Sequence, residues 1–313
     1  MSPLRVFPQA LQRTSPEHEL AYQVGAFLSA KGRQNPQTAR FYDCKLKHFS
    51  AWLESQGIKD VIAVTPQVVR DFLAFLQDGH SQGGLHAYYR SIKHFLRWCR
   101  LEYDLSEWEP LKNVQAPRAL YRPLPTASVD VVKALLKTCR GTRFVDRRDE
   151  AMLRGLCDTA CRIGEYLALR LQDVHLDDGT VILRAETTKG KRERITYLGS
   201  RALRALREYL RMRDSLRPDS PLWVTEDGRP MSYNAFHQVL LSRSHRAKVP
   251  TLSPHSLRKL AATSMHRDGA NLEEIRRLLG HSTLLVTQRY IGLTDDDLRE
   301  SHRTHAIGDR LLG

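Results

Sequence analysis

Apolar positions recur at helical spacing through the first 110 residues, with polar positions filling the intervals. TARFYDCKLKHFSAWLESQG sets Tyr42, Leu46, Phe49 and Leu53 on one helical face and stops at Gly57. LHAYYRSIKHFLRWCR repeats the pattern with Tyr88, Ile92, Phe95 and Cys99. Between them, Thr65 ahead of Pro66 is a good N-cap for VVRDFLAFLQ, because its hydroxyl can accept from the first free N–H groups while the proline needs no donor partner. Four short helices fit this segment, and their apolar stripes are core. From Glu109 to Thr126 the text becomes EPLKNVQAPRALYRPLPT, whose four prolines suit neither helix nor strand and predict a linker over 111–126.

Helical periodicity returns in VDVVKALLKTC and DEAMLRGLCDTA. DVHLDDGTVILRAETTKGKRERITYL then alternates short apolar runs with turn signals at Asp178-Gly179 and Lys189-Gly190, predicting a small three-stranded antiparallel sheet. Helices are expected again at roughly 200–213, 232–246, 255–268, 272–279, 283–290 and 295–304. The chain thus reads as mainly α with a small antiparallel β-sheet. It divides into a helical domain over 1–110, the linker, and a second domain over 127–313.

Charge narrows the partner. The 313 residues carry a formal +14, which favours a polyanion such as nucleic acid or an anionic membrane surface. Residues 1–110 hold 13 basic and 11 acidic side chains, and residues 111–313 hold 36 and 24, so the second domain is the main polyanion binder. No apolar run reaches the roughly 18 residues of a membrane span, and MSPLRVFPQALQRTS lacks the apolar stretch of a secretory signal; the chain reads as cytosolic. Five cysteines without a CxxC pair suggest neither a disulfide framework nor a zinc ribbon. Cys157 and Cys161, one turn apart, read as core thiols.

Within the second domain several groups could act on a phosphate. Arg162 and Glu165 stand one turn apart at a helix start; TTKGKRER puts Lys189 at a hairpin tip; PHSLRKLAATS sets His255 and Arg258 on one helical face; GHSTLLVTQRY carries His281 and, nine positions on, Tyr290. Singly, each has an ordinary explanation as a solvated or packed side chain. Together they suit one reaction. Guanidiniums can fork onto the nonbridging oxygens of a phosphodiester under in-line attack, histidines can exchange a proton near neutrality, and a tyrosine hydroxyl in a cationic pocket loses its proton more readily.

In this order and spacing the residues resemble the tyrosine recombinases, the phage-integrase and Xer-like family. The resemblance rests on Arg162 with Glu165 and the following LxLxDV, Lys189 in TKGKRER, HSLR at His255 to Arg258, LLGH ending at His281, and Tyr290. It departs at Thr159-Ala160-Cys161, where the family often has Thr-Gly, and at Lys259, where it often has histidine; only local packing is expected to differ. The resemblance implies a SAM-like helical core-binding domain followed by an α+β catalytic domain. It also implies Tyr290 as a nucleophile forming a 3′-phosphotyrosyl ester, Lys189 as general acid, and a clamp on double-stranded DNA bearing specific sites. By the same resemblance, four subunits, all copies of this chain or shared with a related partner recombinase, assemble on two duplexes through a C-terminal tail; read by itself, the tail helix fits equally a fold back onto its own domain. No cofactor or metal is expected, since the ester conserves the bond energy and the arginines neutralise the charge. A DNA-binding protein of this fold without recombination, and a nicking-closing topoisomerase, are the rival readings.

Overall fold

The computed structural model describes residues 19–34, 36–118, 127–188, 190–291, 299, 302 and 303, with only the backbone at 34, 37, 289 and 290. The chain divides into two compact units, one ending at Arg122 and the other beginning at Pro123.

The first unit is built on four α-helices, α1 (Leu20–Gln34), α2 (Pro36–Ser55), α3 (Pro66–Phe75) and α4 (Gln82–Glu102), with a short 3₁₀ turn at Val61–Ala63. Two of the four are longer than expected, at 20 and 21 residues. The predicted stripes face inward: Leu46, Phe49 and Leu53 of α2 meet Ile92, Phe95 and Cys99 of α4 in one core, all fully buried. Thr65 caps α3 as expected, its Oγ1 accepting from the Val68 N–H at 3.3 Å. Trp108 donates its indole N–H to Val64 O at 3.1 Å, and Val114 is buried in the same core, so the chain remains packed on this unit past residue 110.

The second unit begins with α5 (Val129–Lys137), α6 (Phe144–Thr159) and the single-turn α7 (Ile163–Leu167). Strands β1 (Thr180–Leu183) and β2 (Arg194–Tyr197) follow, then α8 (Ser200–Leu210), α9 (Tyr233–Ala247), α10 (Pro254–Arg267), α11 (Leu272–Leu279) and α12 (Leu284–Tyr290). Its core gathers Tyr166, Tyr209 and Trp223 with the inward faces of α6, α8 and α9. Cys161 is buried and Cys157 is half-buried against that core, both as free thiols.

The three-stranded sheet expected over 173–198 contains two strands among the described residues, paired antiparallel from Thr180 opposite Tyr197 to Leu183 opposite Arg194. The stretch that should have been the first strand makes a single bridge, Val174 with Val181, because residues 171–173 close a 3₁₀ turn there instead. The connection between β1 and β2 is also no tight hairpin, since it contains a further 3₁₀ turn at Ala185–Thr187. Of the tail helix expected at roughly 295–304, only residues 299, 302 and 303 are described, and these are helical. Among the described residues no helix is long and apolar enough to cross a membrane.

Candidate active site

Four elements distant in sequence meet at the C-terminal ends of α6 and α11. Helix α6 ends at Ala160 in the left-handed conformation (φ 48°), which turns the chain back and starts α7 with Arg162 as its N-cap residue. This is the position where the resemblance calls for glycine. A non-glycine residue there costs on the order of 1 kcal/mol of backbone strain, and burial of the Ala160 methyl in a cluster with Ala262, Ile275, Leu279 and Ile291 offsets it by about 0.8 kcal/mol. The turn exposes the Ala160 carbonyl to the site.

Arg258, on the second turn of α10, is 2 % exposed. One of its terminal nitrogens, Nη1, donates to Ala160 O at 2.6 Å and the other, Nη2, to Leu279 O at 2.6 Å. Both acceptors lie at helix C-termini, where unpaired carbonyls and the helix dipole favour a cation. Nη2 also lies 3.1 Å from His281 Nε2. A guanidinium has only donors, so Nε2 accepts and the histidine proton sits on Nδ1, which donates to Thr287 Oγ1 at 3.0 Å. His281 is therefore neutral. Burial, then the charges of Arg258, Arg162, Arg194 and His255, push its pKa down to about 4.

Gly280 explains why a glycine precedes this histidine. It ends α11 at φ 63°, and a Cβ on it would stand 2.9 Å from the Arg194 guanidinium. Its carbonyl accepts from Arg162 Nη2 at 3.4 Å. Arg162 Nη1 is held by Glu165 Oε1 at 3.0 Å, while the Arg162 main-chain N–H donates to Oε2 at 3.1 Å. The Arg162 side chain is 34 % exposed, so of the two arginines it is the one at the mouth. His255, in the first turn of α10, is exposed at the same mouth. Partial desolvation, then the charges of Arg258, Lys259 and Arg162, lower its pKa below the ordinary 6.5.

The sequence-based site residues thus fall into three groups. Arg162, Arg258, His255 and His281 come together. Tyr290 is the last residue of α12, the helix that begins three residues after His281 and is anchored to it by buried Thr287; only the tyrosine's backbone is described. Lys189 lies outside the described residues. The base of its loop is closed by buried Thr188, whose Oγ1 donates to Arg192 O at 2.9 Å and accepts from the Arg192 N–H at 3.1 Å.

Two residues of the pocket were missed by sequence reasoning. Arg194, the first residue of β2, donates from Nη2 to Glu165 Oε2 at 2.5 Å and from Nε to Leu278 O at 3.2 Å. Thr287 is the other. Arg194 ends a run of four charged residues that reads as solvated, and Thr287 sat inside a helix where a hydroxyl has no local signature. Among the described residues, no three His, Cys, Asp or Glu side chains gather as a metal site would need.

Comparison with known proteins identifies the family. The phage integrase family matches residues 126–296. The chain is 31 % identical over 300 residues to the tyrosine recombinase XerD of Pseudomonas aeruginosa, covering 92 % of this chain and 97 % of that one. It is 28 % identical over 289 residues to XerC of Halalkalibacterium halodurans, covering 89 % and 94 %. The fold is similar to that of the Tn1549 transposon integrase solved in complex with transposon right end DNA, at a TM-score of 0.69 and 16 % identity, over 92 % of this chain and 99 % of that one. It is likewise similar to the XerH site-specific recombinase bound to a palindromic difH substrate, at 0.69 and 15 %, over 89 % and 82 %. The chain belongs to the phage integrase family, the tyrosine recombinases.

Proposed function

We propose that this tyrosine-type site-specific recombinase breaks and rejoins double-stranded DNA with Tyr290 as nucleophile. The Tyr290 oxygen attacks the scissile phosphorus, a 3′-phosphotyrosyl ester forms, and the 5′-oxygen departs as a hydroxyl. A 5′-hydroxyl from the partner strand then reverses the step. Arg258 and Arg162 stabilise the charge that builds on the nonbridging oxygens, Arg258 from a fixed buried position and Arg162 from the mouth. Neutral His255 accepts the tyrosine proton, for which its lowered pKa suits it near neutrality. His281, neutral and accepting from Arg258, holds that guanidinium in place, and Lys189 delivers a proton to the leaving 5′-oxygen.

The observation that carries this reading is the convergence of Arg162, His255, Arg258 and His281 on one pocket, from elements up to 118 residues apart, at the foot of the helix that ends in Tyr290. The helical unit and the catalytic unit each bind the duplex, and four copies assemble on two duplexes. The biological setting is integration or excision of a mobile element, or resolution of chromosome dimers as by Xer proteins.

Incubation with nicked duplexes bearing candidate sites, resolved on denaturing gels, tests the chemistry. Wild-type protein is expected to form a covalent adduct. Tyr290→Phe, which removes only the hydroxyl, is expected to bind DNA and form none. An adduct from the phenylalanine variant would assign the attack to another residue, and recombinant product separates strand exchange from simple relaxation.

A further inference from the structure

Glu165 is an anion shared by two cations. Its side chain is 2 % exposed, and it takes Arg162 on Oε1 at 3.0 Å and Arg194 on Oε2 at 2.5 Å. Burial alone would favour a neutral acid, but the hydrogen bond and charge of Arg194, followed by those of Arg162, outweigh it and hold the carboxyl below its usual range. The group is therefore ionised, and its charge must be counted.

That count decides what Arg162 can offer a phosphate. Arg162 and Glu165 by themselves are a neutral ion pair, with nothing in excess for a developing negative charge. Adding Arg194, whose side chain is 12 % exposed and behind the pair, leaves the trio with one net positive charge. Arg162, at 34 %, is the member that reaches the mouth. Arg194 has a second anchor in Leu278 O, two residues before Gly280, so it cannot turn outward to meet DNA itself without giving up both contacts.

We propose that Arg194 is a positioning residue that neutralises Glu165, so that the same carboxylate can orient Arg162 without cancelling its charge toward the scissile phosphate. The proposal rests on the reading of Arg162 as a phosphate ligand. Through Leu278 it also ties β2, the strand leaving the Lys189 loop, to the end of α11 that delivers His281.

Charge deletion separates this role from a merely structural one. In single-turnover cleavage of a nicked duplex, Arg194→Met is expected to slow adduct formation by roughly a hundredfold or more, the scale of losing one transition-state charge contact. Deleting the opposing charge should reverse the loss: Arg194→Met combined with Glu165→Gln restores one net positive charge on Arg162 and is expected within about tenfold of wild type. A double variant as slow as Arg194→Met, or slower, would overturn the proposal, as would a near-normal rate for Arg194→Met.

Should Arg194→Met not fold, Arg194→Lys carries the test. It keeps the charge but cannot make both bonds, so a defect of about tenfold or less is expected, and it should shrink on a methylphosphonate linkage, which is neutral at the start and carries one negative charge fewer into the transition state. An equal defect on both substrates would overturn the proposal. So would rescue of either variant by a bridging 5′-phosphorothiolate, which would assign Arg194 to the Lys189 loop. Absence of any wild-type adduct would instead remove the reading of the site on which this rests.

Discussion

A guanidinium clasped by two main-chain carbonyls has its orientation set before any substrate arrives. Arg258 meets Ala160 O and Leu279 O with separate nitrogens, a span that a single ammonium on a flexible stem cannot reproduce. Arg258→Lys is therefore expected to keep DNA binding but cleave at least about a hundredfold more slowly, in line with about 3 kcal/mol for a lost transition-state donor. Single-turnover rates near wild type would assign Arg258 to structure alone. The neutral partner of this arginine carries a second expectation. Unfolded His281 takes a proton at about 6.5, whereas in the folded protein it resists protonation down to about 4. Between these values the unfolded chain binds more protons, so stability is full above pH 6.5, falls as pH drops toward 4, and gains no further loss from this residue below that. Urea melts from pH 7 to 4 should show a shallower decline for His281→Gln than for wild type. The site residues with a sequence signature, such as HSLR and LLGH, were legible because chemistry and spacing coincide in short text. Arg194 and Thr287 were not, because what brings them into the pocket is contacts to Glu165, Leu278 and His281 that no local pattern records.

The elements show the same division between what is local and what is not. Caps and apolar stripes made α2, α3 and α4 readable, since Thr65 with Pro66 and the runs ending at Leu53 and Cys99 report only on their own helices. Strand β2 inverts the usual rule. Ile195 and Tyr197 are 51 % and 60 % exposed, while Arg194 and fully buried Thr196 point inward, because the inward face of this strand meets the arginine pocket and the Thr159 carbonyl. A reader following hydrophobic alternation would turn this strand over. The end of α11 is the element on which the pocket hinges, because Gly280 combines a positive φ with a close approach of a pinned side chain. Gly280→Ala forces a Cβ into the left-handed region and against an Arg194 guanidinium already held at both Glu165 and Leu278. It is expected to cost roughly 1–3 kcal/mol of stability and to lower adduct formation more than DNA binding. Unchanged melting and unchanged cleavage would show that Arg194 moves aside freely and that the turn is not what places His281.

At the scale of the whole molecule, the proposed DNA binding and the proposed assembly would draw on different parts of the chain. Residues 111–313 carry an excess of basic over acidic side chains, 36 against 24, so neutralisation of DNA phosphates should persist as long as that surface folds. The last residues read differently: LTDDDLRESHRTHAIGDRLLG opens with three aspartates and spaces Leu298, Ile307 and Leu311 as an apolar set, a composition suited to contact with protein and unsuited to contact with a polyanion. A closed ring of four subunits needs a head-to-tail contact that one subunit on one half-site does not. Truncation after Thr294 is therefore expected to leave binding to a single site and its steep salt dependence in place, to leave Tyr290 adduct formation on a nicked half-site largely intact, and to abolish the tetrameric complex on gel filtration or native gels. If the truncated protein loses its cooperative melt, the tail instead completes the fold of its own subunit, and assembly must be sought on another surface.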